Sequence, residues 1–235
     1  MSTPVLELID VHAAYGRIDV LHGVSLVVPE RSVVAILGPN GAGKTTTLKV
    51  ASGQLRPKRG CVHVAGRHVN GVAPDALARA GVVSIPEGRG IFPNLTVQEN
   101  LRLVTYGGSG QRHVEEKTYS QFPKLKQRRT QVAGTMSGGE QQMLALARAV
   151  ANDPALLTLD EISMGLAPLI VAELYELVAQ IAASGVAILV VEQFAQTALK
   201  VSDYAAVMAQ GRIRRFGQPA EIEEDLEAAY LGKAG

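Results

Sequence analysis

Two runs near the start of the chain, "VLELIDVHA" (5–13) and "VLHGVSLVV" (20–28), alternate apolar and polar positions, with "YGRID" between them. A period of two predicts antiparallel strands joined by a turn. Four later stretches lose the alternation: "SVVAIL" (32–37), "GVVSI" (81–85), "ALLTLD" (155–160) and "VAILVV" (186–191). Continuous apolar runs bounded by glycine or proline suit strands buried on both faces, as in a parallel sheet covered by helices. Between residues 87 and 136 the character changes: "LTVQENLRLVTY" and "RHVEEKTYSQF" predict helices and "KLKQRR" a basic loop. Further helices are predicted at "GGEQQMLALARAVAN", "PLIVAELYELVAQIAAS" and "FAQTALKVS", then strands at "YAAVMAQ" and "RIRRFG" and a short C-terminal helix. The pattern predicts an α/β core, 1–86 and 137–235, with an antiparallel β part and a small helical insert at 87–136.

Composition narrows the role. The 235 residues are 47% hydrophobic, enough for a full core, and 23 basic against 22 acidic residues leave a net charge of +1. That balance gives no pull toward nucleic acid or anionic lipid, and 4% aromatics without tryptophan argue against a base-stacking surface. A lone cysteine, Cys61, fits a reducing compartment. No basic-then-apolar leader is visible, and no apolar run approaches the ~20 residues that span a bilayer. The expectation is a cytoplasmic protein that meets a membrane only through a partner.

"GPNGAGKTT" (38–46) directly follows the apolar run "SVVAIL". Chance produces a G-x-x-x-x-G-K-[ST] match in a chain of this length roughly 1% of the time. Gly38, Gly41 and Gly43 let the backbone curl around an anion, and Pro39, Asn40 and Ala42 complete the loop. The following helix adds its positive N-terminal end, with Thr46 in its first turn. Lys44 supplies a point charge to β- and γ-phosphates, and the Thr45 hydroxyl suits Mg²⁺. A phosphate loop needs a metal-holding acid on a nearby strand. "ALLTLDE" offers Asp160 for that role, and Glu161 as acceptor of a proton from the attacking water. The cofactors expected are ATP and Mg²⁺.

The order of a phosphate loop, then "SGGE" opening a helix in "MSGGEQQMLALARAV", then an acidic strand resembles the ATP-binding-cassette (ABC) ATPase family over essentially the whole chain. The resemblance implies a P-loop NTPase fold in which Ser137, Gly138, Gly139 and Glu140 face the nucleotide of a second cassette, so two cassettes pair head to tail. Ser137 suits a helix N-cap, and the two glycines leave N–H groups open to a γ-phosphate. The family stacks adenine on an aromatic residue near the N-terminus, where Tyr15 stands. It also implies membrane permease subunits, a second ATPase subunit, indirectly a solute-binding protein, and a place on the inner face of the cell membrane. No nucleic-acid partner is expected.

Four positions depart from the common family pattern. Glu87 in "IPEGRGIFPNL" stands where glutamine is usual, and would coordinate or accept near Mg²⁺. Ile162 replaces proline after the acidic pair, and Ala167 lies where a leucine–aspartate pair is usual. Gln193 replaces the histidine that donates to the γ-phosphate; its amide donates but never carries charge. The P-E-G-R, G-L-A-P and V-E-Q stretches, with the terminal "AAYLG", resemble the ATPase subunits of branched-chain amino-acid importers, while Ile162 and Phe194 do not. The function implied is an ATP-hydrolysing importer motor that receives a permease helix at "GRGIFPNL". The alternatives are an importer of urea or short amides, and a degenerate or non-transport ABC ATPase. Cys61, His63 and His68 share a strand region but lack metal-site spacing and read as packing residues.

Overall fold

The computed structural model describes residues 3–88, 90–104, 111–193 and 195–223. Two sheets divide the strands. The alternating N-terminal runs become β1 (Leu6–Tyr15) and β2 (Ile18–Val28), paired antiparallel through a turn at Gly16–Arg17. With β4 (Arg59–Val64) and β5 (Arg67–His68) they form a four-stranded sheet ordered β2-β1-β4-β5. The continuous apolar runs become β3 (Val33–Leu37), β6 (Val82–Ile85), β7 (Leu156–Asp160) and β8 (Ala187–Glu192). β9 (Tyr204–Ala209) and β10 (Arg212–Gly217) complete a sheet ordered β10-β9-β3-β8-β7-β6. In it β9, β3, β8, β7 and β6 pair in parallel, and β10 is antiparallel at the edge.

The central strands are apolar on both faces because they separate two cores. Val33, Ala35 and Leu37 pack in a cluster with Leu157, Leu159, Ile188 and Val190. Val34 and Ile36 pack on the opposite side with Leu156, Leu189 and Val191. The first core is covered by α6 (Gly138–Val150) and α7 (Pro168–Ala183), which contribute Leu144, Leu146, Leu174 and Val178. The second is covered by α1 (Lys44–Ala51) and the antiparallel sheet, through Leu48, Leu6, Leu8 and Leu26.

Between β6 and β7 lie α3 (Val97–Arg102), α4 (Gln111–Gln121) and α5 (Pro123–Gln127). The start of α3 is fixed by a capping box between Thr96 and Glu99. Asn100, fully buried, pins the loop before it: its Oδ1 accepts from Phe92 N (2.8 Å), and its Nδ2 donates to Phe92 O (2.9 Å) and Thr96 O (3.0 Å). "KLKQRR", expected as a loop, is helical over its first four residues. Pro123 opens α5 at N1, where a missing N–H costs nothing, and Leu125 is fully buried beneath the basic side chains. A short helix α2 (Pro74–Arg79), not anticipated from the sequence, precedes β6. "FAQTALKVS" gives a helix α8 only over Ala195–Leu199; Phe194, the expected C-terminal helix and "AAYLG" lie outside the described residues. Among the described residues no helix is long and apolar enough to cross a membrane.

Candidate nucleotide site

The chain leaves β3 through residues 38–43 and enters α1 at Lys44. The motif glycines serve different ends. A methyl group at Gly38 would lie 2.1 Å from Met208 O, and one at Gly43 would meet Leu21 and Met208 side chains at 2.9 Å. Both therefore let the loop lie against β9 and the antiparallel sheet. Gly41, with φ +78, has nothing within 4 Å of its missing Cβ, so its openness faces away from the protein. The turn between β9 and β10 holds the loop from behind: Gly211 N–H donates to Ala42 O (2.8 Å), and Gly211 O accepts from His22 N (2.9 Å). Gly43 caps α1 in the left-handed region at φ 106, and the first turn of α1 carries no acidic residue. The free N–H groups of that turn and the helix dipole therefore present an unopposed positive end.

Lys44 is only 4% exposed and crosses its own loop, donating to Gly38 O (3.0 Å) and Pro39 O (3.3 Å). Its Nζ is 3.3 Å from Glu161 Oε1. Thr45 Oγ1 donates to Asp160 Oδ1 at 3.0 Å, joining α1 to the end of β7. Burial raises the Asp160 pKa; the Thr45 hydroxyl works against that, while Glu161 and Glu87 raise it further and Lys44 lowers it. Glu161 has φ +46 and donates its N–H to Val191 O (3.0 Å). A non-glycine residue there stores roughly 1–3 kcal/mol of strain, which the surrounding contacts must hold. Thus Lys44, Thr45, Asp160 and Glu161 meet directly, and Glu87 is close enough to act on Asp160 through charge. Glu87 and Glu161 also line a cavity of about 460 Å³ with Ile91, Gln141, Gln142 and Met164.

The other expected residues lie around this centre. Tyr15 is 44% exposed beside α1, with Lys49 Nζ 5.6 Å from its ring centroid. Thr46 lies buried in the first turn of α1, whereas Asn40 is exposed. Gln193 is exposed directly after β8. Ser137 caps α6 in a capping box with Glu140, as the sequence suggested. Burial raises the Glu140 pKa, but hydrogen bonds from the Ser137 N–H and hydroxyl, together with Arg128 and Lys124, lower it overall. Its Oε2 accepts from Ser137 and its Oε1 pairs with Arg128 at 2.7 Å, so this carboxylate is engaged locally. Among the described residues no hydrogen bond or ion pair joins Ser137 or Glu140 to Lys44, Thr45, Asp160 or Glu161. Gly139 has a packing reason beyond an open N–H: a methyl there would lie 2.3 Å from Ile170 Cγ2.

Two departures acquire a structural account. Ile162 is 1% exposed and belongs to the core beneath α6 and α7. Ala167 is the N-cap of α7 and supplies no side-chain cap, so Pro168 at N1 alone shapes that start. Glu192, not singled out from the sequence, is 1% exposed and accepts from Tyr175 Oη (2.6 Å) and from Ser163 Oγ (2.8 Å) and N (3.2 Å). Its one signal was a charged residue ending the apolar run "VAILVV".

A family model described as ABC transporter matches residues 21–163, more than half of the chain, spanning the phosphate loop, the helix start at Ser137 and the acidic strand. The chain belongs to the ABC transporter family. This ABC cassette is 39% identical to the high-affinity branched-chain amino acid transport ATP-binding protein BraG of Pseudomonas aeruginosa, over 97% of this chain and 100% of that protein. It is 31% identical to a probable branched-chain amino acid transport ATP-binding protein, LivF, of Archaeoglobus fulgidus, over 97% of this chain and 99% of that one. It is also 35% identical to a Nod factor export ATP-binding protein I of Burkholderia lata, over 96% of this chain and 75% of that protein. Among solved structures it resembles a nucleotide-free ATP-binding cassette from an ABC transporter, with TM-score 0.84, 26% identity and 95% of both chains covered. The chain is therefore an ATP-binding subunit of an ABC transporter, from a family that hydrolyses ATP to power transport.

Proposed function

We propose that this ABC cassette is the ATP-hydrolysing motor of an importer for branched-chain amino acids. The observation that carries the ATPase part is the meeting of Lys44, Thr45, Asp160 and Glu161 where β3 and β7 end. Lys44 holds the β- and γ-phosphates, and the α1 N-terminus receives them through the backbone of residues 38–46. Glu161 accepts the proton of the attacking water, and the Gln193 amide donates toward the γ-phosphate. Tyr15 stacks on adenine. Oxygen donors suit Mg²⁺: the Thr45 hydroxyl and the Asp160 carboxylate are within hydrogen-bond distance, and Glu87 adds charge to the group. These three residues would hold the metal, which when bound supplies positive charge to the phosphate oxygens.

In this reading Ser137, Gly138, Gly139 and Glu140 face the nucleotide of a second cassette, in a homo- or heterodimer on the cytoplasmic face of the membrane. Residues 87–136 form a helical insert in a core of 1–86 and 137–235, supported by α3 to α5 falling between β6 and β7. The permease meets the loop around Phe92. Support comes from that ring being 47% exposed and backed by Arg148, whose guanidinium lies 4.8 Å from its centroid and donates to Gly90 O. A solute-binding protein acts indirectly through the permease. The cargo assignment follows the amino-acid importer relatives, which this chain matches over their whole length, while the Nod factor exporter is covered only to 75%.

Steady-state phosphate release from the wild type and from Glu161→Gln tests the chemistry. Loss of about 100-fold or more in the variant is expected; equal rates would remove the ATPase assignment. Affinity capture of the tagged chain from detergent-solubilised native membranes tests the partners. A permease pair and a second cassette are expected, and recovery of soluble proteins or nucleic acid alone would refute the transport reading.

A further inference from the structure

We propose that Glu192 is a positioning residue for ATP hydrolysis, setting the loop that carries Glu161. The proposal rests on Glu161 being the base. Glu192 ends β8, is 1% exposed, and is paired with no cation among the described residues. Both of its oxygens are used. Oε1 accepts from the Tyr175 hydroxyl on α7 (2.6 Å) and from Ser163 N–H (3.2 Å), and Oε2 accepts from the Ser163 hydroxyl (2.8 Å).

Placing a carboxylate in a core with only neutral donors is a poor way to gain stability, because desolvation opposes it and apolar residues of similar size pack there at less cost. What the arrangement gives is geometry. Two consecutive residues of β8 grip the same three-residue loop: Val191 O takes the N–H of Glu161 at 3.0 Å, and Glu192 takes both donors of Ser163. Between these anchors, Ile162 is sunk in the core at 1% exposure. Glu161 therefore keeps its left-handed backbone (φ +46), and its side chain stays 3.3 Å from Lys44. Tyr175 adds a third support from α7, so strand, loop and helix meet at one carboxylate. Without it, Glu161 would relax toward ordinary backbone angles and lose its register on the attacking water, while the phosphate loop, held separately by β9 and β10, would still bind ATP.

The test measures phosphate release and ATP binding on the full chain for Ser163→Ala, Tyr175→Phe, Glu192→Leu and Glu192→Gln, with thermal unfolding of each. Ser163→Ala and Tyr175→Phe should each lower kcat about 3–10-fold, and Glu192→Leu about 30-fold or more, with KM for ATP within about twofold of wild type. Glu192→Gln fills the same volume and still meets both hydroxyls, and should recover kcat to within about threefold. The Ser163→Ala/Glu192→Leu double variant should be no slower than Glu192→Leu alone, because both act through one contact. If Glu192→Leu does not fold, Ser163→Ala and Tyr175→Phe decide. Unchanged kcat in those variants, or an effect confined to KM or to unfolding temperature, overturns the proposal. Glu161→Gln run alongside separates the two ideas: if it is as active as wild type, the assignment of the base fails first; if it is inactive while the others keep full kcat, only the role of Glu192 falls.

Discussion

Gly139→Ala puts a single methyl group between two helices whose contact brings the start of α6 against α7. The added carbon would lie 2.3 Å from Ile170 Cγ2, over 1 Å inside the ~3.5 Å at which carbon atoms rest. Ile170 cannot readily swing aside, because a β-branched side chain in a helix has one strongly preferred rotamer. Overpacking of this kind costs about 1–3 kcal/mol. Alanine's better helix propensity returns under about 1 kcal/mol, less than in a helix interior because residue 139 lies in the first turn. A net loss of about 1–2 kcal/mol lowers the unfolding temperature by about 2–8 °C in a chain of this size. The assay is a thermal melt of the full chain followed by circular dichroism, with Ile170→Leu as the relieving partner, since leucine lacks the offending Cγ2 methyl. The double variant should recover most of the loss. A Gly139→Ala protein as stable as wild type, or one that Ile170→Leu does not help, would refute the claim that packing demands glycine there.

Asn100→Leu should lower the unfolding temperature by about 2–12 °C, because it strands the Phe92 N–H (about 1–3 kcal/mol) while the carbonyls of Phe92 and Thr96 keep their backbone donors, Leu95 N and residue 100 N, and a melt within about 1 °C of wild type would contradict that. Glu192 also predicts a pH dependence. Burial raises its pKa above the ordinary 4.5, the Tyr175 and Ser163 donors pull it down in part, and the Glu161 charge raises it. A raised folded pKa gives a contribution to stability that is complete below about 4.5 and lost as pH climbs through the folded value. Glu192→Gln does not titrate, so its stability relative to wild type should increase from pH 4.5 to pH 7; a flat or falling difference in paired melts would show that the carboxylate is not burdened by burial.

The parts that could be read from sequence share one property: their cause is local. The phosphate loop announces itself through glycines at fixed spacing before a lysine, and Asp160 through its place at the end of an apolar strand. Ser137 was legible as a cap because capping acts over three residues. What escaped depends on distant partners. The Gly139 constraint comes from Ile170, and Glu192 gains its role from Ser163 and Tyr175, which only folding brings near. In "KLKQRR" the one buried residue, Leu125, sets no period, so a short helix that tertiary packing holds read as a basic loop. Glu87 and Gln193 stand out in the sequence as departures from a family pattern, and the pattern alone does not show that Glu87 acts on Asp160.

The two cores divided by β3 also divide the chain mechanically. Val97, Leu101, Phe122 and Leu125 of α3 to α5 belong to the core under α6 and α7, whereas the antiparallel sheet and α1 are rooted in the other. Loosening of α3 to α5 therefore disturbs only one side of the sheet. The strand that launches the phosphate loop keeps its opposite face packed against α1 and the antiparallel sheet when the side reached by Phe92 is disturbed. The sheet gives the helices after β6 and the backing of the phosphate loop separate foundations, and it does so because alternate residues of one five-residue strand answer to different neighbours.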